Sequence, residues 1–332
     1  MIDKKLKVNL NGLKQKIHIK GDPEKPILLF IHGGPGVANR HMCTKYNQDL
    51  LDTFMVVGWD QRGTGGSYWG SDSKLLSIDQ LTEDANALVN YLCETYNKEK
   101  IFAIGGSWGS LLGTKLAYKY PEKLYAFVGF GQFVDGEQNE NLSYEYALEE
   151  AKKANDQESI NKLVELGPPV MGMYKGGYDG MLIQREVMNK YGGYSKKNQS
   201  KSYTGGLAKA YLFSGEYNPL DVIGVLFGNR TVLENMWPEI GRTKLQNECT
   251  EFKIPYLVFD GMLDKNTPAD LVENYFNSIK APYKELIWFE ESGHNPLIDE
   301  SEKFKSLLKD RLTKILKGEI KWKQNNMKSK NE

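Results

Sequence analysis

Short runs of consecutive apolar residues punctuate this chain, and most of them run directly into a loop of glycine and polar residues. Residues 26–31 (Pro-Ile-Leu-Leu-Phe-Ile), 53–60, 101–104 (Ile-Phe-Ala-Ile), 126–132, 254–261 and 285–289 are such runs. A strand with both faces buried needs no polar side chain on either face, and parallel sheets are buried in this way. Ahead of these runs, residues 6–10 and 14–20 alternate in polarity around Asn11-Gly12, which predicts an antiparallel hairpin at a sheet edge. Between the strands the period becomes helical. Residues 77–96 place Leu81, Ala85, Leu88 and Leu92 on one face behind a Ser77/Gln80 capping box. A helix from Leu111 ends at Tyr120-Pro121, and another is expected over 269–279. A closing amphipathic helix carries Phe304, Leu307, Leu308, Leu312 and Ile315, with Gly318 as its C-cap. Strands alternating with helices predict an open, mostly parallel sheet with helices on both faces.

The texture changes between about 135 and 250. Buried-strand runs stop, and charged helical stretches over 140–153 and 157–166 are broken by Pro168-Pro169 and by the pairs Gly176-Gly177, Gly192-Gly193 and Gly205-Gly206. Aromatic residues are frequent here, among them Tyr174, Tyr178, Tyr191, Tyr194, Tyr203, Tyr211, Phe213, Tyr217, Phe227 and Trp237. The expectation is a mostly helical cap, residues 135–250, inserted in a core made of 1–134 and 251–318. Most of the aromatics would be the cap's own packing. Residues 319–332, rich in Lys and Asn, are expected to fray.

Composition narrows the classes. The 332 residues carry 43 basic and 43 acidic side chains, so net charge points to neither nucleic acid nor an anionic membrane. The longest apolar run is too short to span a bilayer, and the charged start (Asp3, Lys4, Lys5) is not that of a signal peptide. Cys43, Cys93 and Cys249 are far apart and odd in number, which argues for reduced thiols in the cytoplasm and against a zinc site. Composition leaves the oligomeric state open.

The chemistry concentrates where strands end. Gly105-Gly106-Ser107-Trp108-Gly109 fits the G-x-S-x-G elbow, in which a sharp strand-to-helix turn lifts a serine above the sheet. Strand 26–31 runs into His32-Gly33-Gly34-Pro35-Gly36, a loop whose backbone N–H groups can approach a developing oxyanion. It is not a phosphate loop, because the lysine of that motif is absent and Pro35 removes a donor. The G-x-G at Gly63-Thr64-Gly65 lacks dinucleotide-site spacing, and Asp60 and Arg62 are expected to tie that loop together. Asp264 follows the strand ending at Gly261, and His294 follows the last strand. Of the four histidines, His18 sits in the hairpin, His32 in the glycine loop and His41 at a helix start. Asp260 competes with Asp264 but lies at the strand end, so Asp264 is preferred. Serine, then aspartate, then histidine is the chain order of the α/β-hydrolase triad. A hydroxyl is a weak nucleophile and needs a base, and the base needs a carboxylate on its other nitrogen. Ser107, His294 and Asp264 are the candidates, with the N–H groups of Trp108 and Gly34 as oxyanion donors. No metal or cofactor is called for.

His32-Gly-Gly-Pro-Gly36, Trp59-Asp-Gln-Arg-Gly-Thr-Gly-Gly-Ser67 and Gly105-Gly-Ser-Trp-Gly-Ser110 together closely resemble the prolyl iminopeptidase family of α/β-hydrolases. The likeness covers about residues 20–134 and 254–300, and within it Ser107, Asp264 and His294 match the family's triad. It implies an α/β-hydrolase fold and metal-free removal of an N-terminal residue, often proline, from short peptides. Members of that family hold the substrate amine with cap glutamates, one of them in an acidic-aromatic helix motif. The nearest stretch here, Leu207-Ala-Lys-Ala-Tyr-Leu-Phe213, has no acid. Glu216 and Glu234, together with Glu239 and the loop residue Gly33, are the candidate substrate contacts. Two rivals stay open: an esterase or lactonase with an aromatic pocket, and a non-catalytic binding module.

Overall fold

A computed structural model describes residues 1–44, 47–195, 211 and 214–320. One sheet contains β1 (Ile2–Leu10), β2 (Leu13–Gly21), β3 (Ile27–Ile31), β4 (Met55–Trp59), β5 (Ile101–Gly106), β6 (Leu124–Phe130), β7 (Tyr256–Gly261) and β8 (Lys284–Phe289). Its strand order is β1-β2-β4-β3-β5-β6-β7-β8. β1 and β2 pair antiparallel from Ile2 opposite Gly21 to Leu10 opposite Leu13, and Asn11 and Gly12, both at positive φ, make the turn. β2 is antiparallel to β4, and every pairing from β4 across to β8 is parallel. The edge hairpin and the mostly parallel sheet are therefore as the polarity pattern predicts.

The helices are α1 (Arg40–Thr44), α2 (Ile78–Thr95), α3 (Trp108–Lys119), α4 (Gly136–Lys153), α5 (Gln157–Leu166), α6 (Tyr178–Lys190), α7 (Pro219–Ile240), α8 (Leu245–Glu248), α9 (Ala269–Ser278), α10 (Pro296–Asp299) and α11 (Ser301–Leu316). Successive residues of one strand enter two different cores, because strand side chains alternate faces. Ile27, Leu29 and Ile31 of β3 pack with Leu81 and Leu88 of α2 and Leu112 and Leu116 of α3. Leu28 and Phe30 pack instead with Phe304, Leu308 and Leu312 of α11. That double coverage is why these strands read as unbroken apolar runs.

Between β6 and β7 the described residues contain helices α4 to α8 and no strand. This segment has an apolar cluster of its own, with Tyr144, Ala147, Leu163, Tyr174, Met181 and Leu233. An isolated bridge between Asp135 and Lys244 joins its two ends. Tyr203, Phe213 and most of the 207–213 stretch lie outside the described residues, as does the tail from 321. The capping box on α2 is only half formed. Ser77 Oγ accepts from Gln80 N at 3.1 Å, but the Gln80 side chain turns to Asp84. Asp84 is buried and also receives Arg62, Gln15 and Asn11.

Candidate active site

Ser107 sits at the apex between β5 and α3 with φ 57° and ψ −125°, a conformation that costs free energy for a residue with a side chain. The turn closes because its flanking glycines have no side chains. A Cβ on Gly105 would lie 2.1 Å from Gly109 O, and one on Gly109 would lie 2.1 Å from Ile31 O. Both clashes are with backbone, which cannot rotate away. Ser107 N donates to Phe130 O at 3.0 Å, and Ser110 Oγ donates to Ser107 O at 2.6 Å while accepting from Phe133 N at 2.8 Å. The second serine of Gly-Gly-Ser-Trp-Gly-Ser therefore ties the elbow to the loop after β6.

The glycine loop after β3 comes up against the elbow. A Cβ on Gly33 would stand 3.0 Å from Gly106 O and 3.3 Å from Ser107 Cβ, so only glycine leaves that gap open. Gln61 holds the loop in place. Its main-chain N–H donates to His32 Nε2 at 3.2 Å, its carboxamide donates to His32 O at 2.8 Å, and its Oε1 accepts from Trp108 Nε1 at 2.8 Å. His32 Nδ1 then donates to Gly33 O at 2.8 Å. Full burial pushes His32 down to about 4, so the ring is neutral and serves as a structural brace. Trp108 opens α3, and the N–H groups of a helix's first turn have no intrahelical acceptor. The Gly33-Gly34 loop thus packs against the Ser107 side chain, next to the first turn of α3.

On the other side of the elbow, His294 Nδ1 lies 2.7 Å from Asp264 Oδ2. Asp264 is fully buried and His294 nearly so. Asp264 Oδ1 accepts main-chain N–H groups from Asn266 at 2.7 Å and Thr267 at 3.0 Å, and its Oδ2 accepts the Thr267 hydroxyl at 2.6 Å. His294 N donates to Tyr194 O at 2.7 Å, and the Tyr194 ring lies 4.9 Å from the imidazole, centre to centre. The neighbouring Asp260 accepts from Gln132 N and Gly261 N and does not touch the ring. Burial, reinforced by the Asp264 charge, pushes Asp260 up to about 7.

Ser107, Trp108, Gly33, Gly34 and His294 line one cavity of about 550 Å³. Much of its wall is apolar, with Phe30, Phe130, Phe133, Tyr178, Leu233 and Trp237 among the lining residues. Glu216 and Glu234 do not line it. Glu216 is drawn to the hairpin edge by His18 at 2.6 Å and by Lys5 and Arg40, both at 3.2 Å. Glu234 is exposed and pairs with Arg230 on the next turn of α7. Glu239 accepts the Ile78 N–H at the start of α2. Of the two residues expected to tie the loop after β4, Asp60 does so and Arg62 reaches outside it. Asp60 is taken by Arg40 and Gly66 N, and Arg62 by Asp84.

The sequence reasoning missed Glu140. It lines the cavity while nearly buried, its Oε1 pairs with Arg185 Nη2 at 2.5 Å, and its Oε2 makes no hydrogen bond among the described residues. Asn139 Oδ1 and Asn295 Oδ1, in the same lining, are likewise buried acceptors without a donor. The signal was present: Glu140 falls on the stripe of Tyr144, Ala147 and Ala151, the buried face of α4. A glutamate on such a stripe is not a surface charge. Among the described residues no group of three or more His, Cys, Asp or Glu is arranged to hold a metal. No described helix is long and apolar enough to cross a membrane.

A family model for the alpha/beta hydrolase fold matches residues 26–301. A probable aminopeptidase, YbaC, of Bacillus subtilis is 28% identical over 307 residues, 91% of this chain and 93% of the relative. Two solved structures show the same fold. The proline iminopeptidase-related protein TTHA1809 of Thermus thermophilus superposes with a TM-score of 0.64 at 20% identity, covering 96% of this chain and 99% of that one. A thermophilic esterase of Thermogutta terrifontis gives 0.59 at 16% identity, covering 95% and 99%. The mostly parallel sheet, the strained serine turn and the family match over most of its length make this chain a member of the α/β-hydrolase fold family.

Proposed function

We propose that this protein is a serine hydrolase that removes the N-terminal residue, proline or another small apolar one, from short peptides or amides. The observation that carries the reading is His294. Its Nδ1 is fixed on a buried carboxylate, and its ring lines the cavity that Ser107 also lines. With Nδ1–H donating to Asp264, the lone pair stands on Nε2, the tautomer a general base requires. Ser107 Oγ attacks the carbonyl carbon and its proton passes to Nε2. The carbonyl oxygen becomes an anion facing the N–H groups of Trp108 and Gly34. The imidazolium then protonates the departing amine, leaving an acyl-Ser107. Water, deprotonated by the same Nε2, releases the acid and restores the hydroxyl.

Specificity for a free amine rests on Glu140. An ammonium carries three donors, and the lining residue Glu140 keeps a buried carboxylate oxygen without one among the described residues. Helices α4 to α7 would act as the cap that limits entry to short substrates. The kinship with a probable aminopeptidase along most of the chain supports the same reading. The apolar wall supports a second reading, an esterase, in which Glu140 only neutralises Arg185. A panel of prolyl, alanyl and leucyl chromogenic amides against simple esters separates the two. In either case Ser107→Ala is expected to lose on the order of a thousand-fold or more in turnover and all labelling by a fluorophosphonate probe. An unimpaired variant refutes the mechanism.

A further inference from the structure

The atom that would receive the proton already has a partner. His294 Nε2 lies 3.2 Å from Asn266 Nδ2, and among the described residues no hydrogen bond joins His294 to the Ser107 hydroxyl. Since Nδ1–H donates to Asp264, Nε2 holds the single in-plane lone pair, and the Asn266 carboxamide N–H is its donor. Asn266 is no loose surface residue. Its main-chain N–H donates to Asp264 Oδ1 at 2.7 Å, so it hangs from the same carboxylate that orients the ring, and it lines the cavity.

We propose that Asn266 is a resting-state partner of His294, holding the Nε2 lone pair in the free enzyme and surrendering it to the Ser107 hydroxyl in the reacting complex. The inference rests on the serine-hydrolase reading above. One lone pair cannot serve two donors well, so the Asn266 bond must break before Ser107 can be deprotonated. Once the proton is on Nε2, the Asn266 N–H would face an N–H, and the carboxamide must turn away or present its oxygen. A bond made in the free enzyme and absent from the transition state slows every reaction that starts from the free enzyme. It leaves the turnover of bound substrate unchanged.

The test uses the full chain, a fluorophosphonate probe and a chromogenic amino-acyl amide. Asn266→Ala is expected to raise the second-order labelling rate and kcat/KM by about two- to fivefold, the factor for one neutral hydrogen bond of roughly 0.5–1 kcal/mol, with kcat within about twofold. Asn266→Asp keeps the shape but replaces the donor with an anion that favours the imidazolium. It is expected to shift the acid limb of the kcat/KM profile upward by about one pH unit. Support of the ring alone has the opposite signature. If Asn266→Ala lowers labelling and kcat together, or leaves the labelling rate unchanged, the proposal is overturned. A wild-type chain that takes no label at Ser107 refutes the underlying reading, and this proposal falls with it.

Discussion

Replacing Glu140 by glutamine removes one charge from the cavity wall and almost nothing else. The glutamine keeps the length of the side chain and an oxygen for Arg185 Nη2, now 2.5 Å from Glu140 Oε1. What disappears is the anion. A hydrogen bond to a charged group contributes about 1.5–3 kcal/mol and a neutral one about 1 kcal/mol, so an ammonium at Oε2 loses roughly 1–2 kcal/mol. The Arg185 charge, with its pairing to Glu140 lost, adds repulsion in a nearly buried setting. Together these predict a fall of about ten- to a hundredfold in kcat/KM for alanyl and prolyl anilides. A p-nitrophenyl ester without an amine has nothing to lose there and should change by less than about twofold. The ester is also the internal control for folding, since a misassembled cavity would slow both substrates, and melting curves check the same point. An equal fall on both substrates, or none on the anilides, would refute amine recognition at this residue.

Two predictions concern the frame of the site. Gly109→Ala puts a methyl 2.1 Å from Ile31 O, where no rotamer relieves it, and should cost about 3 kcal/mol or more, seen calorimetrically as a Tm loss of about 4 °C or more. An unchanged Tm would mean that α3 can move off β3 freely. His32, at about 4 when folded against an ordinary 6.5, binds fewer protons in the native than in the unfolded chain between those values. Stability from this residue is therefore complete above pH 6.5 and lost as pH falls towards 4, by up to about 3 kcal/mol. Asp260, raised to about 7, works in the opposite sense over much of the same window, so the wild-type curve is flattened. The readout is a difference. His32→Gln should gain stability relative to wild type as pH is lowered from 7 to 4 in denaturant titrations, and parallel curves for the two proteins would contradict the assignment.

What could be read in the sequence was what local chemistry dictates. Strands β3 and β5 announce themselves because both faces are buried, and the serine turn does so because Gly105 and Gly109 leave no room for a side chain. The hairpin follows from Asn11-Gly12, whose positive φ angles demand such residues. What failed depended on which way a charged side chain turns after folding. Glu216 looked available for an amine, but Lys5 of β1, the His18 imidazole of β2 and Arg40 of α1 converge on it. Arg62 looked set to tie its own loop but reaches Asp84 in α2, while Asp60 ties the loop through Gly66 N and also pairs with Arg40. Such pairings join segments distant in the chain, and nothing in local spacing encodes them. Glu140 is the intermediate case: helical periodicity alone put it on the inward stripe of α4.

The competition between Asp260 and Asp264 has a physical resolution that position along the strand only hints at. Both carboxylates are fully buried at the end of β7, close enough for the charge of one to act on the other. Two anions side by side in such a setting are costly, so the site must place one charge, and the donors decide where. Asp264 receives two main-chain N–H groups, a hydroxyl and the imidazole N–H, the surroundings of an anion. Asp260 has two main-chain donors, and burial together with the charge of Asp264 drives it towards its neutral form. Whenever Asp260 is protonated, an imidazolium formed at His294 would face one negative charge rather than two. In the mechanism proposed above, a second charge there would stabilise the imidazolium further and slow the return of its proton to the leaving amine.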